Sequence, residues 1–160
     1  MISAALWLWI ALLLFLLEGW LVQVGAPRVD FAASITLYLG LFARVGWLPV
    51  LVLTTALARS VLVPGDTALH FLILGIPVGV MVPLRRLFAR HDLLLQVFCA
   101  FVVGWTQPKL CALLSRAFAL DVPVLVTSWR HLAVVIVLAP VLAFLLRKLP
   151  PLSRFVERSE

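Results

Sequence analysis

Residues 29–43 read VDFAASITLYLGLFA. After Asp30 the run carries no charge until Arg44, yet it is shorter than the about 20 residues a helix needs to cross a hydrocarbon core of about 30 Å. It works as a span only if Val29 and Asp30 cap its start and Arg44 snorkels at its end. The number of crossings turns on it, and with it the side on which each loop lies. Counted as a span, it is the second of six.

The flanking runs are longer. Residues 3–24 form the first span, stopped by Gly25, Pro27, Arg28 and Asp30. It lacks a basic start and a clean small-residue cleavage site before Glu18, so it reads as a retained helix rather than a signal peptide. The third span, 47–63, ends at the tight turn Pro64-Gly65-Asp66. The fourth, 67–84, contains Gly75, Pro77 and Gly79, and a kink is expected near Pro77. The fifth, 93–118, is interrupted by Trp105, Thr106, Gln107, Pro108 and Lys109, which predicts a kink or a break at Pro108. The sixth is 128–146, and 150–160 is a short tail.

Composition agrees with a chain dissolved in lipid. Of 160 residues, 64 % are apolar and 12 % charged, with a mean hydropathy of +1.17. Six helices would use about 120 residues, which leaves no room for a separate water-soluble catalytic or nucleic-acid-binding domain. The net charge of +6 therefore reports topology, and nucleic acid is not an expected partner. Placing both termini in the cytoplasm puts Arg44, Arg85, Arg86, Arg90, Arg147, Lys148, Arg154 and Arg158 inside, against Arg28, Arg59, Arg116 and Arg130 outside, as the excess of basic residues in cytoplasmic loops requires. Trp20, Trp47 and Trp129 fall near span ends, at headgroup depth. Cys99 and Cys111 are twelve residues apart, about 18 Å on a helix, too far for a disulfide.

The titratable inventory argues against catalysis. His70, His91 and His131 are scattered, no metal-ligand or nucleophile motif occurs, and Ser34 and Ser60 have no base at a telling spacing. No catalytic residue, metal or cofactor is expected. The informative side chains are charges in or near the hydrocarbon: Glu18, Asp30, Arg59, Asp66 and Lys109. Each must pair, reach an interface or line a polar cavity. The topology sends Glu18, Asp30, Arg59 and Asp66 to one leaflet, where they could form a polar cluster, or else act singly as caps and snorkelling groups. Lys109, the deepest charge, would reach the outer interface if helix five is broken at Pro108, and would otherwise need a carboxylate, for which Glu18 is the only acidic residue at comparable depth.

From Pro27 to Leu87 the chain resembles the rod shape-determining membrane protein family MreD. The resemblance rests on Pro27-Arg28-Val29-Asp30, the apolar run to Tyr38, the basic turn at Arg44 and the hairpin Pro64-Gly65-Asp66. Ala139-Pro140, the apolar run to Leu146 and Arg147-Lys148 resemble that family's last helix and basic tail. Two positions depart from it: Arg59 stands where an aspartate is common, and Ala68-Leu69 replaces a leucine-glycine pair. The resemblance implies an all-α integral membrane protein of six transmembrane helices, similar to the substrate-binding subunits of energy-coupling-factor transporters. It implies a non-enzymatic subunit of the bacterial elongation machinery in the inner membrane. That subunit would bind MreC directly, and RodA, a penicillin-binding transpeptidase and MreB within the complex. Gly75 and Gly79, spaced as G-x-x-x-G, offer a helix-packing face, and Arg85, Arg86 and Arg90 a cytoplasmic contact for phospholipid or partners. The alternative reading is a substrate-binding subunit of a vitamin transporter, for which the outward polar set would line a pocket.

Overall fold

In a bilayer the backbone has no water to bond to, so an apolar chain of this kind must satisfy its amides within helices. The computed structural model describes residues 2–25, 29–87, 93–118 and 128–149. These form α1 (Ile2–Gln23), α2 (Phe31–Phe42), α3 (Leu48–Leu62), α4 (Thr67–Leu87), α5 (Leu93–Ala117) and α6 (Trp129–Lys148), with a 3-10 turn at Val45–Trp47 and no strand among the described residues. Residues 150–160 and Arg90 lie outside them.

Five helices are long and apolar enough to cross a membrane: α1, α3 together with its preceding turn, α4, α5 and α6. The chain is thus an all-helical membrane protein with five helices of spanning length, and the short second run, expected to cross only with help from its capped and snorkelling ends, is not one of them. Helix α2 has 12 residues, about 18 Å of rise, and every one of them is buried. In the long helices only 17 % to 39 % of the apolar window is buried. A helix apolar on all sides belongs in the interior, and Ala32, Ala33, Ser34 and Gly40 keep α2 slim enough for neighbours to close over it. Helices α4, α5 and α6 surround it, while α1 packs chiefly on α3. The lipid-facing shell carries Trp9, Leu13, Val61, Leu94 and Val137, and Trp20, Trp47 and Trp129 are exposed near helix ends as expected.

Side-chain hydrogen bonds tie the long helices together and to α2. The Trp7 indole stacks on Tyr38 at 5.6 Å and donates to Thr55 Oγ1 at 2.9 Å, joining α1 to α2 and α3. Gln107 is buried and donates to Thr36 Oγ1 at 2.9 Å, joining α5 to α2. Gln107 is therefore a crossbrace, and α5 is not broken at Pro108 but runs on as one helix. Helix α4 is likewise continuous through Pro77 and Pro83. Bilayer helices tolerate such prolines when neighbouring groups and local adjustment accommodate the missing amide bond.

Candidate functional site

The site grows out of a problem at the start of α2. The first amides of any helix lack intrahelical partners, and here they lie inside a membrane protein. Asp30 is the N-cap, and its Oδ1 accepts from Ala33 N at 2.9 Å. Glu18, reaching from α1, accepts through Oε2 from Phe31 N at 3.3 Å. Two carboxylates thus sit on the positive end of the α2 dipole, where negative charge is favoured. His131 of α6 places Nε2 3.7 Å from Asp30 Oδ2, an ion pair when the ring is protonated. Arg59 of α3 is close enough for its charge to act on both Asp30 and His70.

Glu18 and Asp30 therefore meet at the start of α2, whereas Arg59 makes no ion pair with either among the described residues and its Nη1 is buried without a hydrogen-bond partner. Asp66 stands at the rim, exposed at the start of α4, with its charge acting on His70. Arg59 and Glu18 also line a cavity of about 620 Å³ between α1 and α3, with Phe15, Gln23 and Leu62. His70 and His131 were not singled out by sequence; the only signal available was topological, since both belong to the helix starts that share this end of the bundle. His70 is almost fully buried, and its Nε2 lies 3.3 Å from the Val63 carbonyl, so that nitrogen carries the proton.

Lys109 does not join the cluster. It lies in a separate groove between α4 and α5, its Nζ 3.8 Å above the Trp105 ring, whereas Glu18 faces the α1–α3 cavity. The expected Glu18–Lys109 pair is absent among the described residues. Replacing Glu18 by Gln, Lys109 by Gln, and both together is expected to give additive shifts in melting temperature in detergent, within about 0.5 kcal/mol. A larger coupling in that cycle overturns the separation.

Two further expectations are corrected or refined. Arg85 is not a headgroup contact: it is only 3 % exposed, and its Nη1 donates to Ala43 O at 2.6 Å and Gly40 O at 3.4 Å. A guanidinium from α4 thereby closes the carbonyl end of α2, as the carboxylates close the amide end. The physical reason is the shortness of α2, whose last carbonyls end inside the protein and need a donor. Arg86 lies in the last turn of α4. Gly75 and Gly79 share a face of α4: a Cβ at Gly75 would touch Val52 of α3, whereas one at Gly79 would meet nothing within 4 Å. Gly79 opens into a groove of about 650 Å³ between α3 and α4, lined by Leu48, Val52, Phe71 and Pro83.

The Ser34 hydroxyl donates to the Asp30 carbonyl and that of Ser60 to the Leu57 carbonyl, so both hydroxyls bond to helix backbone. No three His, Cys, Asp or Glu side chains among the described residues gather as metal ligands. Cys99 and Cys111 are free thiols. No protein-family model, curated protein or solved structure matches the chain.

Proposed function

We propose that this protein is a non-enzymatic inner-membrane subunit of the rod-shape and cell-wall elongation complex. In this reading it binds MreC and helps to organise peptidoglycan synthesis with RodA, its penicillin-binding partner and MreB. In this reading the short α2 counts as a sixth crossing, and both termini lie in the cytoplasm. The observation that supports it best is the α3–α4 groove with Gly79 on its wall. Small residues let helix backbones approach, and in lipid such approach drives helix association. The polar side chains near α2 support the same reading, because they hold a helix in place and leave the outer faces to make contacts.

The test is recovery of partners from native membranes. Wild-type protein is expected to bring down MreC and RodA. Gly79→Phe, which fills the groove and meets no neighbour at its Cβ, is expected to reduce MreC recovery at least tenfold with an unchanged melting temperature. Recovery of two ATPases and a coupling subunit, or of a tightly held vitamin, replaces this reading with the transporter one.

A further inference from the structure

Lys109 poses an electrostatic problem that the rest of the fold leaves open. It projects from α5 eight residues before Ala117, about 12 Å along the axis from the helix end. Among the described residues it makes no ion pair; its contact is the face of Trp105, which stacks in turn on Phe101 and meets Trp129 at a tilt. Lys109 is exposed on the surface of α5; where that surface meets lipid, the ring face offsets part of the ammonium's charge, and an anionic group beside it offsets more.

The groove beside it has a head and a tail. Its volume is about 430 Å³, and apart from Lys109 and Thr106 its walls are Ile76, Val80 and Met81 of α4 and Phe98, Val102 and Leu113 of α5, among other apolar side chains. Cys99 and Val103 at its back are almost fully buried. From Lys109 to Phe98 is eleven residues, about 16 Å along the helix, close to half of a hydrocarbon core about 30 Å thick. One acyl chain of one leaflet has that reach. Thr106 is the one small polar residue of the wall and neither glycine nor alanine lines it, so the groove lacks a stripe of small residues over which a partner helix could approach closely. The α3–α4 groove with its glycines differs in this respect.

We infer that the α4–α5 groove is a binding site for an anionic phospholipid, its headgroup held by Lys109 beside Trp105 and its acyl chain lying along α4 and α5 toward Phe98. The inference is independent of the proposed partners, since it concerns a different groove.

Full-length protein is reconstituted in vesicles of phosphatidylglycerol and phosphatidylcholine with matched chains, extracted in mild detergent, and its retained lipid weighed by native mass spectrometry. The wild type is expected to retain phosphatidylglycerol in preference. Lys109→Gln is expected to lower that preference about fivefold, the worth of one basic residue against anionic lipid, and Lys109→Arg to keep it. Val102→Trp, which fills the groove and leaves the charge, is expected to remove retention of both lipids. Inorganic phosphate at millimolar concentration is expected not to compete. An unchanged preference in Lys109→Gln overturns the site. So does full competition by phosphate, which would make it a simple anion site, or a co-purifying protein that cross-links at position 109.

Discussion

Replacing Arg85 by methionine is expected to lower the unfolding temperature in detergent more than any other substitution of a charged residue described above. The side chain is buried and its guanidinium supplies donors to the Ala43 and Gly40 carbonyls at the end of α2. Hydrogen bonds from charged donors contribute about 1.5–3 kcal/mol each, and the carbonyls left behind lose their solvation without replacement. Part of this is offset because a buried guanidinium is itself costly to desolvate, which methionine avoids. The net loss is about 2–4 kcal/mol by those magnitudes, or about 4–16 °C for a chain of this size. Arg85→Lys retains one donor to the nearer carbonyl and is expected to fall between the two. An unchanged melting temperature for Arg85→Met would show that the end of α2 has another donor.

The second large effect is expected at Gly40. A Cβ there would lie 2.8 Å from Met81 Sδ and 2.9 Å from Met81 Cβ. The sulfur belongs to a flexible side chain and can move, but the Cβ moves only with the backbone of α4. Overpacking of this kind costs about 1–3 kcal/mol, so Gly40→Ala is expected to destabilise by that amount although alanine is the better helix former. Gly19→Ala is the control, because nothing lies within 4 Å of its added carbon; it is expected to be neutral or slightly stabilising. Adding Met81→Ala to Gly40→Ala should restore stability only partly, since the carbon-to-carbon approach persists. Gly40 also supplies one of the carbonyls that Arg85 meets, so Gly40 and Arg85 substitutions are expected to combine non-additively.

The two ends of α2 show how far sequence reaches. Asp30 was legible as a cap, because an acidic residue directly before an apolar run is a local signal, and its bond to Ala33 N lies within that signal. Arg85 was not legible, because the group it serves is 42 residues away. In sequence, Arg85 and Arg86 read as one basic pair at a span end, and the inward turn of the first is set by α4 packing against α2. The length of residues 31–42 was visible, but its complete burial depended on three helices closing over it. Gln107 and Pro108 looked like an interruption, since a polar residue beside a proline in an apolar run breaks the local pattern. The partner that explains Gln107 is Thr36, on another helix. The depth of Lys109 was legible from its position in the run, whereas its separation from Glu18 followed from the rotation of α5, which one sequence does not encode locally. The scattered histidines carried no spacing signal, and His131 meets Asp30 only because α6 starts where α2 starts.

The dependence of α2 on a guanidinium that comes so much later in the chain bears on biogenesis. At about 5–20 residues per second, a ribosome needs roughly 2–8 s to make the 42 residues from Ala43 to Arg85. The same interval separates their emergence from the ribosome, and for its length the segment stands with its terminal carbonyls unserved and its covering neighbours not yet out. It has to wait at the translocon or the membrane surface, and it takes its final place only as later segments arrive. Nascent chains halted after residues 31–43 have emerged but before residue 85 has should accordingly leave this segment accessible to aqueous labelling reagents, and chains halted once α6 has emerged should protect it.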